Sequence, residues 1–463
     1  MRVVGIIIVL LSLPSFVFLL RTYPYHRRWA YFGIGIFPFI IGALNLDAAF
    51  ISWGAWTGYA TGFVVSVLDT LVLAVLITAR KFRLNVRFLL ILAFYFFSVF
   101  ISVFQSDLWM SSSFYVFQLI RVVLVFLAVS TFANDYKSVR WLSFGLAIGA
   151  IYQCIVTIEQ KLSGVVQAFG TMGHQNLLGL MLHFVTLPLL ALIFAGERSK
   201  IIRCGVLAAL LSVALGASRG SLAFVTIGLI VVIVLSLVRA ATARKWKLIG
   251  LGVLAAGLMV PIALSSLSER FGEAEMYAGP DGEREAFERA ARAMWLDNPM
   301  GVGANQYSLT ANIGGYYERA GVAWNWSNRS TKVHNMYLLA GAETGWIGAF
   351  AFSLLIVWPI VTGLLFLLTN RADPRGDIVL GNVAAFIALA LHGFYEWVFF
   401  VVHAQYLFAI SLGVVASNVR RSAVRRRAVG RGSEQVRPAK VPYGPVARKS
   451  HPLTVNLPSG HKT

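Results

Sequence analysis

Charge is scarce in this chain. Of its 463 residues only 13% are Asp, Glu, Lys or Arg, about half the roughly 25% of a soluble domain, which excludes an ordinary water-soluble surface. Cysteine is scarcer still: Cys154 and Cys204 are the only two, and both lie in apolar runs. That rules out a disulfide framework or a zinc-ligand spacing and leaves both as small core hydrophobes. Acids number 20 against 40 Lys and Arg. No Asp-x-Asp stands at the end of an apolar run, so a metal site is not expected. What the chain has instead is 58% apolar residues, a mean hydropathy of +0.72, and recurring apolar runs of roughly 20 residues, each long enough to cross a bilayer.

The net charge of +20 does not point to nucleic acid, because of where it lies. Residues 420–463 hold Arg420, Arg421, Arg425, Arg426, Arg427, Arg431, Arg437, Lys440, Arg448, Lys449 and Lys462 against the single acid Glu434, together with five prolines. They supply about half the excess charge. This composition reads as a disordered cytoplasmic tail from residue 418 onward, held near anionic lipid headgroups.

Apolar spans are expected near 3–20, 29–45, 53–79, 88–104, 114–132, 140–160, 174–195, 200–216, 220–238, 247–266, 334–366, 378–394 and 401–417. The fold class is an all-α polytopic membrane protein with about 12–13 transmembrane helices. Pro14 interrupts the first run, leaving open a full span, half a hairpin or an interfacial segment; it lacks the basic start and small-residue cleavage site of a signal peptide. Basic loops stay on the cytoplasmic side: Arg21 with Arg27 and Arg28; Arg80, Lys81, Arg83 and Arg87; Lys137 with Arg140; Arg198, Lys200 and Arg203; Arg239, Arg244, Lys245 and Lys247; Arg371 and Arg375. If every span crosses, these loops share one side with the tail, and the C-terminus is cytoplasmic.

The opposite side then carries 267–333, the long non-tail loop. It holds nine of the twenty acids, nearly balanced by Arg270, Arg284, Arg289, Arg292, Arg319, Arg329 and Lys332. A loop of this length is expected to be partly folded and functional. Residues 283–296 read as a helix, with Phe287, Ala290, Ala291 and Met294 on one stripe, ended by Asn298-Pro299. The chain divides into N-terminal spans 1–266, the loop domain 267–333, C-terminal spans 334–417 and the tail.

Unusual polar residues gather on that outer face. His174, Gln175 and Asn176 open a span, either as a helix cap or as donors facing a substrate. Ser218-Arg219-Gly220 joins two spans with almost no loop. Arg219 either snorkels to the interface or, breaking the positive-inside pattern, serves function; a guanidinium binds phosphate bidentately and keeps its charge. On the loop helix, Glu285 lies four residues from Arg289, and Glu288 four from Arg284 and Arg292, the spacing of ordinary ion pairs; Arg284, at the helix start, is the better ligand candidate. His334-Asn335-Met336-Tyr337 stands where the loop re-enters the membrane. A lone histidine is commonly structural, but a neutral imidazole here can take a proton from a sugar hydroxyl. Trp324 and Trp326 are interfacial aromatics or platforms for sugar rings. His392 and Glu396 in the last hairpin, and Glu343, are expected to orient these groups.

In this order the motifs resemble the O-antigen ligase / O-antigen polymerase superfamily: Gly173-His174-Gln175-Asn176, then Ser218-Arg219-Gly220, then Arg284, Trp295 and Asn298-Pro299-Met300-Gly301-Val302-Gly303, then His334-Asn335-x-Tyr337-Leu338 with Glu343-x-Gly345. The likeness covers roughly residues 140–415. It implies a GT-C-type fold and a bacterial inner-membrane location. It also implies an undecaprenyl-diphosphate-linked glycan donor and inverting transfer on the periplasmic face without metal or other cofactor. Arg219 and Arg284 match the family's diphosphate-binding arginines, and His334 its essential histidine. The acceptor is lipid A–core or another glycan; a polymerase joining lipid-linked repeat units, and a non-enzymatic transporter of lipid-linked glycan, are the rival readings. Beyond these and the membrane lipids, no partner is implied.

Overall fold

The computed structural model describes residues 2–80, 84–274 and 280–429; Lys81, Arg83, Glu275 and most of the expected tail lie outside them. Two helices, α1 (Arg2–Thr22) and α2 (Arg27–Ile40), lead into a β-hairpin, β1 (Asp47–Ser52) and β2 (Gly62–Ser66), and then a short helix α3 (Val67–Ile77). Next come α4 (Val86–Ser102), α5 (Trp109–Phe132), α6 (Tyr136–Leu162), α7 (Gln175–Ala195), α8 (Lys200–Leu215), α9 (Arg219–Arg239) and α10 (Ala243–Ala274). The outer loop holds α11 (Pro280–Asp297), α12 (Tyr307–Ile313), α13 (Tyr316–Ala320) and α14 (Trp326–Ser330); α15 (Met336–Thr369), α16 (Arg375–His392) and α17 (Val402–Val429) close the chain.

The protein is thus an all-α polytopic membrane protein. Ten of the described helices are long and apolar enough to cross a bilayer. The expected 12–13 is reached only with α2, α3 and α8, which at 14, 11 and 16 residues fall short of the roughly 20 a straight span takes. Pro14 sits inside α1 without ending it. Helix α17 runs on through 429, past the boundary at 417 read from composition.

The expected span at 53–79 is a correction. Residues 47–66 form the antiparallel hairpin, Asp47 opposite Ser66 and Ser52 opposite Gly62, and only 67–77 is helical. Hydropathy counted Trp53, Trp56, Phe63, Val64 and Val65 as a span. Of these, Phe63, Val64 and Val65 are aromatic and β-branched residues that suit strand β2, whereas Trp53 and Trp56 lie in the segment joining the strands; Gly62 lets β2 lie close against β1, where a Cβ would meet the Ile51 carbonyl at 2.3 Å. Ser66 then caps α3 in a capping box with Asp69. The Asp69 carboxylate also takes Arg121 of α5 at 2.8 Å and the Tyr406 hydroxyl of α17 at 2.7 Å. A buried ion pair whose polar atoms are met this way ties three helices together.

The basic loops meet at one end of the bundle: Arg140 pairs with Glu197 at 2.8 Å, Arg239 with Asp377 at 3.4 Å, and Arg27 reaches the Thr78 carbonyl. The loop that holds α11 to α14 covers the other end, the one expected to face outward. The stripe predicted on α11 is buried, Phe287, Ala290, Ala291 and Met294 each at 3% exposure or less.

Helix α15 is broken at Gly345, whose φ of 65° and ψ of −166° fall in a region open essentially to glycine alone. The freed backbone groups are taken up by the Asn298–Gly303 turn. Val302 and Gly303 donate to the Ala342 and Glu343 carbonyls at 3.0 and 2.9 Å, and Trp346 donates to the Pro299 carbonyl at 3.0 Å. A Cβ at Gly345 would sit 2.2 Å from the Pro299 oxygen. Gly345→Ala should therefore cost about 3 kcal/mol or more and lower the melting midpoint of purified protein by several degrees. Gly250→Ala, with open space around its Cβ, should leave it unchanged; equal midpoints for both variants would refute the docked-kink account.

Candidate functional site

At the outer end of the bundle, α16 ends at His392 and the chain turns through Gly393, Phe394 and Tyr395 to Glu396 before α17. The start of α15 is pinned to this turn by the Met336 amide, which donates to the Gly393 carbonyl at 2.8 Å. Glu396 is only 4% exposed, and a buried carboxylate needs partners to stay ionised. It has them from three other parts of the chain. His334 Nδ1 lies 3.2 Å from Oε2, Arg284 Nη2 lies 3.6 Å from Oε1, and Asn176 Nδ2 donates to Oε1. Burial pushes the Glu396 carboxyl up. The hydrogen bond from His334, first among the opposing effects, and the positive charge that His334, His392 and His174 carry when protonated outweigh it and hold the carboxyl below its ordinary value. An ionised carboxylate only accepts, so Nδ1 carries a proton, and in the neutral form of the ring the lone pair then lies on Nε2, an assignment that follows from the network.

Arg284 also donates to the Tyr395 carbonyl at 3.1 Å and lies over the Tyr395 ring, 5.8 Å from its centre; it does not pair with Glu288, which takes Arg292 at 2.7 Å. Ser218 caps α9, accepting from the Ser221 amide, so the exposed Arg219 is the first helical residue. Helix α9 reaches the same corner: a Cβ at Gly220 would lie 3.7 Å from His392 Nε2, and the Phe224 ring packs 5.1 Å from His392 and 5.5 Å from Tyr395. The structure therefore gathers His334, Arg284, Asn176 and Glu396 in direct contact, with the start of α9 beside them.

The other sequence candidates make contacts within the fold or stand at its surface. His174 caps α7 through its Nδ1 and the Asn176 amide, Gln175 bonds Gln167 at 3.2 Å, and Asn335 caps α15, accepting from the Tyr337 and Leu338 amides. The Tyr337 hydroxyl ties α15 to α16 through the Ala390 carbonyl at 2.9 Å. Arg289 holds the Ala320 carbonyl at 3.0 Å and Glu285 at 3.8 Å. Trp324 and Trp326 stand exposed on the rim, with Arg329 4.2 Å over the Trp324 ring. Glu343 bonds elsewhere, accepting from the Tyr59 hydroxyl at 2.5 Å and the Tyr307 amide at 3.0 Å. His392 Nδ1 faces His183 Nε2 at 3.2 Å rather than Glu396. His183 escaped the sequence reading, although a histidine inside an apolar span, seven residues and so one helix face from Asn176, was a signal.

Lys332 was also passed over. It is 8% exposed, its ammonium 4.6 Å from the centre of the Trp397 ring. Burial pulls its pKa from 10.5 down to about 8, with Glu343 pulling the other way. Between those values an unfolded lysine binds a proton that the folded one has lost, so folding stability gains as pH rises. The melting midpoint of wild type relative to Lys332→Met should climb between pH 7 and 10; a flat or falling difference would contradict the burial.

Among the described residues, no group of three or more His, Cys, Asp or Glu is placed to hold a metal ion. Residues 204–353 match the family model described as O-antigen ligase, a stretch that contains Ser218, Arg219, Arg284, the Asn298–Gly303 turn and His334. The match places this stretch in the O-antigen ligase superfamily and supports glycosyl transfer of the ligase and polymerase kind. No curated protein matches the chain.

Proposed function

With residues 204–353 a segment of the O-antigen ligase superfamily, we propose that this chain is a GT-C-type glycosyltransferase. It moves a glycan from undecaprenyl diphosphate to an acceptor hydroxyl, lipid A–core first among them, at the periplasmic face of the bacterial inner membrane. The observation that carries this reading is the His334–Glu396–Arg284 contact. Glu396 fixes the His334 ring so that Nε2 faces away from it as a base, and the same carboxylate holds Arg284 beside that base.

The acceptor oxygen attacks the anomeric carbon as His334 Nε2 removes its proton. The bond from that carbon to the phosphate oxygen breaks, and its electron pair leaves on the diphosphate. Arg284 and Arg219 meet the developing charge. Two guanidiniums at a membrane edge do so strongly, because electrostatics gain where water is thinned, and the step needs neither metal nor cofactor. One displacement inverts the anomeric centre. A polymerase would run the same chemistry with a lipid-linked glycan as acceptor.

The test is transfer by purified protein from a lipid-diphosphate-linked glycan to lipid A–core in the presence of chelator, read by gel shift. His334→Ala should lower the rate by roughly 10²-fold or more, Arg284→Ala and Arg219→Ala comparably, and Glu396→Gln at least about tenfold by freeing the tautomer. A ladder made from donor alone would make the protein a polymerase. Wild-type rates in His334→Ala and Arg219→Ala would end this assignment.

A further inference from the structure

At the basic end of the bundle, away from the Glu396 corner, Leu20, Arg21, Pro24, Arg27, Thr78 and Arg80 line a cavity of about 390 Å³. Three of the six are arginines and none is an acid. The ion pairs on this end join Arg140 to Glu197, Arg239 to Asp377 and Arg375 to Asp373; among the described residues none involves Arg21, Arg27 or Arg80. Arg27 is fixed in place by the Thr78 carbonyl, whereas Arg21 and Arg80 are exposed. An arginine in the last turn of a helix suits the helix dipole, and arginines favour one side of a membrane. These rules account for each residue singly, not for the hollow they share, where like charges repel unless an anion joins them.

The cavity also has an apolar shoulder. Phe18, Leu19 and Ile77, next to it in α1 and α3, are 67%, 42% and 46% exposed, and α1 buries little of itself in the bundle. A basic hollow opening onto exposed apolar residues fits a molecule with an anionic head and hydrocarbon tails better than a free phosphate. We propose that this cavity binds an anionic phospholipid, its phosphodiester held by Arg21, Arg27 and Arg80 and its acyl chains lying along Phe18, Leu19 and Ile77. Basic pockets between membrane helices take such headgroups, and the volume falls within the usual range of ligand clefts.

The full chain would be reconstituted in bilayers of phosphatidylcholine mixed with phosphatidylglycerol, extracted gently, and its retained lipid identified by native mass spectrometry. Wild type should keep phosphatidylglycerol in preference to phosphatidylcholine. Arg21→Gln with Arg80→Gln should weaken that preference by roughly fivefold for each arginine removed. Arg87→Gln, on the same end but outside the lining, should leave it intact, and matching melting midpoints would show that the variants fold. Equal retention of both lipids by wild type, or an undiminished preference in the double variant, would overturn the proposal. Displacement of the lipid by millimolar inorganic phosphate would overturn the lipid assignment in favour of a free anion.

Discussion

A carboxylate removed from water has to be met by donors and positive charge, and at the outer end of this protein that carboxylate is Glu396. Its partners come from the start of α7, the start of α11 and the junction before α15. These are distant in sequence and belong to different layers of the fold. Leaving Glu396 unpaired would cost several kcal/mol, so the partners are drawn to one point and the outer loop is docked with them. The carboxylate that organises the corner also holds the His334 ring through Nδ1, which makes assembly of the corner and orientation of that imidazole one event.

The second anchor is backbone rather than side chain. In hydrocarbon or a protein interior an opened helix must find substitutes for its lost hydrogen bonds. The Asn298–Gly303 turn supplies them to the break in α15, and its glycines are dictated by contact: a Cβ at Gly301 would lie 2.4 Å from the Glu343 carbonyl oxygen. Trp295 continues the seam, its ring 4.4 Å from Trp346 and close over Gly341. Asn305 then ties this loop to the hairpin through both the amide and carbonyl of Ala60.

Much of this was legible because it is local. Runs of apolar residues gave the long helices, the α11 stripe gave its buried face, and Asn298-Pro299 gave its end. Other features were hidden because they depend on what meets what. Hydropathy counts residues, not hydrogen bonds, so the hairpin at 47–66 looked like the beginning of a span. Glu343 sits near a conspicuous motif, yet its partners Tyr59 and Tyr307 lie in segments that no spacing rule connects to it. Asn335 adjoins His334 and turns inward to cap its own helix. Arg284 had Glu288 available at ordinary helix spacing and pairs with Glu396 instead, because a buried carboxylate outcompetes a more exposed one.

The break in α15 separates two tasks. Unbroken, the helix would run roughly 51 Å, far more than the hydrocarbon thickness of about 30 Å; the part after Gly345 alone covers roughly 36 Å. Anchorage in the bilayer therefore belongs to the inner part, while the first turns belong mechanically to the loop that grips them. Selection can then reshape the platform above the break, altering what docks there, without renegotiating how the chain is inserted. One continuous rod would have bound those two histories together.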